Sequence, residues 1–286
     1  MTAKILDGLL VSHSIKNELK NEISMLYKKN IYPCLATILI GDDPPSISYI
    51  NNKQKTANLI GIKTLDYRLD KKITQQELSD IIYKLNNDKE VHGILIQLPL
   101  NKHLDKFQVL NLIDPNKDVD GLTSLNSGLL TNNRAQLIPC TPMGVMEMFK
   151  YYNIDLDGSI VSIVNRSNLV GKPLSTLLLE KNSTVIVCHS HTKNLDHLLQ
   201  CSDIIITAVG DRQKFILTKD MVKENSIVVD IGTSRFEGKL LGDVDFEEVK
   251  EKVAYITPVP GGIGPMTITM LLKNTVKAAK ILNSIE

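Results

Sequence analysis

The chain has 286 residues, 43% of them hydrophobic and 23% charged, which are ordinary globular proportions that exclude a disordered or fibrous class and leave room for two domains with separate cores. Lys and Arg number 33 against 32 Asp and Glu, and a net charge of +1 lacks the basic signature of a nucleic-acid binder or a polybasic membrane partner. Cys34, Cys140, Cys188 and Cys201 are scattered without metal or disulfide spacing, so they read as small buried hydrophobes in a reducing compartment. The first residues lack a signal-peptide apolar core and no apolar run approaches membrane-spanning length, so a cytoplasmic protein without a metal centre is expected.

Residues 9–30 carry Leu10, Ile15, Leu19, Ile23 and Leu26 with charges between them, which predicts an amphipathic helix. The continuous apolar run 34–40, ending at Gly41, suits a buried parallel strand. In the next segment Asp43 can cap a helix, Pro44 or Pro45 fits its first turn, and Gly61 can close it in the left-handed conformation. Helical spacing then puts Tyr49 and Lys53 one turn apart on one face. A phenol beside an amine is a usable acid/base pair if that face is buried, because desolvation lowers a lysine pKa and a neutral amine accepts a proton. On its own, a helical lysine is more often a solvated surface group.

A strand at 64–69, a helix at 74–85 with Thr74 as cap and Glu77 three residues on, and a buried strand at 93–98 follow. This alternation predicts a parallel sheet with helices on its faces, and such sheets bind ligands at the carboxyl ends of their strands. Gln97 sits at such an end, and the turn 116–121 brings Asp118 and Asp120 after the next helix. Each also has a plain structural reading, Gln97 as a strand-end amide satisfying the backbone and the aspartates as Asx-turn residues before a glycine.

Residues 121–140 are polar and turn-rich, which suits a linker between domains. A helix from 140 to about 152 leads into strands at 159–164, 184–188, 204–208, 227–230 and 254–257, a second doubly wound domain. Its loop 165–173 lies where a nucleotide-binding domain holds a pyrophosphate against free helix amides, although Gly171 is the loop's one glycine. The end of the next strand reads Cys188-His189-Ser190-His191-Thr192, with no carboxylate for ribose hydroxyls. With Arg166 and Ser167 nearby, a 2′-phosphate is accommodated and NADP is preferred over NAD; a Rossmann-like fold without bound phosphate is the alternative. Three glycines and several prolines in 257–267 allow close approach of a flat ligand ahead of a C-terminal helix at about 267–282.

Six motifs carry a resemblance over nearly the whole chain. They are Tyr49-x-x-x-Lys53, the 93–100 strand with Gln97, Lys117-Asp118-Val119-Asp120-Gly121, Pro139-Cys140-Thr141-Pro142, Arg166-Ser167-x-x-Val170-Gly171-x-Pro173, and the Pro258–Thr267 run. Together they resemble the bifunctional methylenetetrahydrofolate dehydrogenase/cyclohydrolase (FolD) family. The resemblance implies an α/β protein of two doubly wound domains. One is a folate-binding catalytic domain of residues 1–122 and 268–286, whose final helix returns to it, and the other is a Rossmann-type NADP-binding domain of residues 123–267, with a cleft between them. It implies NADP-dependent oxidation of 5,10-methylenetetrahydrofolate to the methenyl form, hydrolysis to 10-formyltetrahydrofolate, and a homodimer in the cytoplasm with neither nucleic-acid nor membrane partner. Carried over residue by residue, Lys53 is the general acid/base, Tyr49 stacks over or positions the folate, Gln97 tunes Lys53 and the water, and Asp120 accepts from the pterin edge. Ser46, Ile96, Leu98, Pro260, Gly261 and Gly264 line the folate site. Arg166, Ser167 and Ser190 meet the adenosine phosphate of NADP, and Thr141 meets its nicotinamide side.

Two positions depart from the family pattern, both on the cofactor side. Asn165 stands where a glycine is usual and is expected to reproduce the turn from the left-handed region. Thr233 brings a hydroxyl where an apolar contact is usual. They motivate a second reading, a cyclohydrolase with weak or NAD-shifted dehydrogenase activity; a non-catalytic folate or nucleotide carrier is a third.

Overall fold

A computed structural model describes residues 2–236 and 238–285. The chain divides into two compact α/β units, Ser14–Cys140 with Ile268–Glu286, and Met1–His13 with Thr141–Thr267. These bounds differ from the expected 1–122 with 268–286 and 123–267 at two places, and hydrogen bonding accounts for both. Residues 123–140 are held in the first unit, where Asn126 Nδ2 donates to the Pro115 carbonyl and to Asp118 Oδ2, both at 2.9 Å. The polar stretch read as a linker contains a helix, Ser124–Thr131, capped by the Thr123 hydroxyl. Residues 1–13 join the second unit because the strand Lys4–Ile5 pairs with Tyr255–Ile256.

In the first unit Cys34–Ile40 is the central strand of a parallel three-stranded sheet between Lys63–Leu69 and Gly93–Ile96. It is buried at every residue, which is why it reads as a continuous apolar run. Its core joins Ile38 and Ile94 to Leu78, Ile82 and Leu85 of the helix Gln75–Asn87, whose capping box of Thr74 and Glu77 is present. Ile94 also bridges in parallel to Asp118, and its amide donates to the Lys117 carbonyl at 2.8 Å, which sets the start of the 117–121 turn beside Gly93–Ile96. The C-terminal helix Ile263–Leu282 belongs to this unit from Ile268 onward; Asn274 Nδ2 donates to the Val119 and Ile138 carbonyls, each at 2.8 Å.

The second unit holds a fully parallel six-stranded sheet in the order Lys4–Ile5, Tyr255–Ile256, Ile227–Asp230, Ile204–Thr207, Ile160–Val164, Thr184–Cys188. Sequence order reverses around Ile160–Val164, the switch point at which such sheets bind ligands. Val164, Cys188, Ile205, Val228 and Ile256 meet in its core. No helix among the described residues is long and apolar enough to cross a membrane.

Candidate active site

The helix Pro44–Ile60 is set by its ends. The Asp43 carboxylate accepts from the Ser46 amide at 3.1 Å and hydroxyl at 2.7 Å, prolines fill the first turn, and Gly61 closes it at φ 95°. Its buried face is Ser46, Ile50, Lys53, Ala57 and Ile60. Lys53 therefore occupies a position that helical periodicity reserves for a core side chain, and it is only 6% exposed.

At that position Lys53 Nζ donates to Gln97 Oε1 at 3.1 Å and lies 4.2 Å from the centroid of the Tyr49 ring. Gln97 is aimed by its own surroundings: its amide N–H bonds the Ile38 carbonyl at 2.9 Å, and its Nε2 donates to the Leu98 carbonyl at 2.8 Å, which turns Oε1 toward the lysine. Desolvation lowers the Lys53 pKa, opposed by the charge of Asp120. Burial, reinforced by Asp120, raises the Tyr49 phenol, which stays protonated. Burial likewise raises Asp120, against the pull of Lys53. Tyr49, Lys53, Gln97 and Asp120, proposed from three separate motifs, thus share one environment. Ser46 lies on the same helical face with its hydroxyl tied to Asp43, and Ile96 and Leu98 flank Gln97, Ile96 buried and Leu98 half-buried.

Cys140, expected as a small buried hydrophobe, is buried and also belongs to this environment. Its thiol donates to the Val119 carbonyl at 3.3 Å, and its pKa is pushed well up by burial and then by Asp120, to which it also hydrogen-bonds. Its place between Pro139 and Thr141 in a recurrent motif was the available signal.

In the second unit the loop after Ile160–Val164 differs from expectation. Asn165 is not among the described residues with positive φ. Its side chain closes the loop instead: Nδ2 donates to the Ala208 carbonyl at 2.6 Å, and Oδ1 accepts from the Ser167 and Gly171 amides at 2.8 and 3.0 Å. The Val170 amide donates to Ser167 Oγ and the Lys172 amide to the Ser167 carbonyl, so these amides of the turn opening the helix Gly171–Leu179 are already partnered. Around that turn stand exposed Arg166 and Ser190, half-buried Ser167, and His189, whose pKa desolvation and then the Arg166 charge lower.

Thr233 is exposed at the end of Ile227–Asp230, beside a tightly held pair of carboxylates. Asp243 accepts from the Val209 and Gly210 amides at 2.6 and 2.9 Å. Asp230 accepts from Thr207, Gly232, Asp243 and Val244 at 3.0–3.1 Å and is pushed up to about 6, chiefly by burial. Thr141 Oγ1 lies 3.0 Å from Thr267 Oγ1. In the 258–264 loop Pro260 and Gly264 are exposed and Gly261 has φ 107°; part of the glycine density serves a backbone contact, since Gly8 N donates to the Gly261 carbonyl and a Cβ on Gly8 would stand 1.7 Å from Gly262 O.

Comparison with known proteins gives two family matches. The tetrahydrofolate dehydrogenase/cyclohydrolase catalytic domain matches residues 6–120, and the tetrahydrofolate dehydrogenase/cyclohydrolase NAD(P)-binding domain matches residues 139–283. The bifunctional protein FolD of Nitrosopumilus maritimus is 54% identical over 285 residues, 100% of this chain and 99% of that protein. A crystal structure of the bifunctional FolD methylenetetrahydrofolate dehydrogenase/cyclohydrolase from Campylobacter jejuni is 50% identical, with TM-score 0.95 over 98% of this chain and 99% of that one. The Trypanosoma brucei FolD, solved with NADP cofactor and inhibitor, is 34% identical with TM-score 0.93, covering 98% of each chain.

Proposed function

The chain belongs to the tetrahydrofolate dehydrogenase/cyclohydrolase family, and from that premise we propose which of its residues carry the two reactions. It oxidises 5,10-methylenetetrahydrofolate to the 5,10-methenyl form with NADP and hydrolyses that product to 10-formyltetrahydrofolate, in one-carbon metabolism. The observation that carries the residue assignment is Lys53, a lysine in a core position, bonded to Gln97 and stacked on Tyr49. Desolvation favours its neutral amine, the form that removes a proton from the water attacking the methenyl carbon and returns it to the departing ring nitrogen. Gln97 orients that amine through its Oε1, Tyr49 supports the flat substrate, and Asp120 accepts from the pterin edge. Ser46, Ile96, Leu98, Pro260, Gly261 and Gly264 are assigned to the folate site on the family pattern.

NADP supplies the hydride acceptor when bound. The donor set fits its 2′-phosphate: Arg166, Ser167, Ser190 and His189 stand at strand ends that carry no carboxylate, while loop amides are engaged by Asn165 and Ser167. Thr141 is assigned to the nicotinamide side, where the protein's part is orientation. Thr233 and Asn165 support a second reading in which the dehydrogenase step is weak or shifted toward NAD. Reduction of NADP and NAD measured side by side with methylenetetrahydrofolate decides between them. A cytoplasmic homodimer is inferred from the same family resemblance.

The Lys53 assignment predicts that Lys53→Met lowers methenyltetrahydrofolate hydrolysis by about 10²–10⁴-fold, the range of general acid/base catalysis, with NADP affinity retained. Equal loss of hydrolysis and NADP binding in a folded variant would sink it.

A further inference from the structure

Asn274 sits on the C-terminal helix in the same unit as Lys53, 1% exposed, among buried Leu271, Leu272, Val276 and Ala278. Its Nδ2 carries two protons, and each has a backbone acceptor at 2.8 Å: the carbonyl of Val119, which directly precedes Asp120, and the carbonyl of Ile138, two residues before Cys140. The same nitrogen stands 3.8 Å from Cys140 Sγ. Those two backbone segments pack directly on each other, since Gly121 has φ 66° and a Cβ there would lie 2.7 Å from Pro139 N. One buried amide therefore ties together the two chain segments that deliver Asp120 and Cys140.

The rest of the 117–121 turn is fixed by other means. Lys117 Nζ donates to the Leu85, Asn86 and Asp88 carbonyls at 2.7–3.0 Å, at the end of the helix Gln75–Asn87. The Asp118 carboxylate accepts from the Leu122 and Thr123 amides and from Asn126. Val119 packs where a Cβ on Gly93 would stand 2.6 Å from its Cγ1. Lys117, Asp118, Val119 and Gly121 are each anchored, and Asp120 is the member of the turn whose charge acts on Lys53 and Tyr49.

We propose that Asn274 is a positioning residue for the hydrolytic site, holding the Val119 and Ile138 carbonyls so that Asp120, beside buried Cys140, meets the substrate in fixed register. The proposal rests on the assignment of Asp120 to the pterin edge. Its test uses the full chain with three substitutions, Asn274→Leu, Asn274→Asp and Asp120→Asn, with melting temperature and NADP affinity followed beside hydrolysis kinetics. Asn274→Leu takes the amide from both carbonyls, leaving that of Val119 with the Cys140 thiol alone, and is expected to lower kcat/KM for methenyltetrahydrofolate by about 10- to 100-fold, mostly through KM, with NADP affinity unchanged. Asn274→Asp keeps the shape but turns a carboxylate on those carbonyls; protonation restores one donor. Its kcat/KM relative to the parent enzyme is expected to climb as pH falls, while that of Asn274→Leu stays flat.

A lowered melting temperature with unchanged KM and no such pH signature would mean a purely structural helix contact and overturn the proposal. If Asn274→Leu and Asn274→Asp give no cooperative melt, Asn274→Gln carries the test. It keeps both donors on a longer stem, is expected to displace the carbonyls and raise KM, and overturns the proposal if KM is unchanged. Unaltered hydrolysis in Asp120→Asn removes the Asp120 assignment itself, an outcome distinct from any result at Asn274.

Discussion

A lysine at 6% exposure is held against its solvation, and the sign of its pH linkage follows. Its folded pKa lies below the unfolded one, so the unfolded chain binds more protons between the two values. The cost of burying Lys53 is thus fully present below the folded pKa and is relieved as pH rises toward the unfolded value. Replacing Lys53 by Met at neutral pH should raise the melting temperature, by about 2–4 °C for each kcal/mol relieved, while hydrolysis is lost; calorimetry beside a turnover assay checks both. Hydrolysis by the parent enzyme should climb with pH as the amine deprotonates. Gln97→Glu sets a carboxylate where Oε1 stands 3.1 Å from Nζ, favours the ammonium, and should move that limb of the pH–rate profile upward. At this scale the one-turn relation of Tyr49 and Lys53 was legible from spacing alone. The surroundings of buried Lys53 were not, because they include Gln97 and Asp120, which periodicity cannot bring to a helix 40 or more residues away. Cys140 escaped because a buried thiol looks the same in sequence whether it faces Leu or a carboxylate.

Among the elements, the 165–171 loop is where sequence reading and structure part. The strand, the loop and the helix after it were legible from an apolar run, polar residues and Gly171-x-Pro173. The means of closure was not, since an asparagine can close a turn by its backbone or by its amide, and here the amide does it through three hydrogen bonds. The close fit predicts that Gly171→Ala, whose Cβ would stand 2.1 Å from the Asn165 carbonyl, weakens NADP binding by at least ~10-fold and lowers the melting temperature. Arg166 is exposed, so Arg166→Ala should fold normally and raise KM for NADP by about 10- to 100-fold, the worth of a charge-assisted bond, with little change for NAD. Steady-state kinetics with both dinucleotides reads that difference. The helix Ser124–Thr131 was hidden by its composition: Thr123, Asn126 and Asp118 satisfy one another there, and three such polar groups in sequence resemble a linker.

For the whole molecule, each unit is assembled from two distant pieces of chain. The alternation of strands and helices made both sheets legible, but the two-residue strand Lys4–Ile5 is too short to carry a pattern and is recognised only through its partner at 255–256. Removing residues 2–7 should lower the melting temperature and the NADP affinity of the second unit, because it deletes that pairing and the bond from the Asp7 amide to the Tyr152 hydroxyl at 2.8 Å. Nucleotide titration and a thermal melt of the shortened chain check it. The interleaving also sets a timetable. On a ribosome residue 140 is followed by 128 more, counted from 140 to 268, before the segment bearing Asn274 is made, roughly 6–26 s at ordinary elongation rates. Through that interval the Val119 and Ile138 carbonyls lack the Asn274 amide, so the surroundings of Asp120 are completed late in translation, and a nascent chain halted before residue 268 should be cut readily by proteases within residues 117–140.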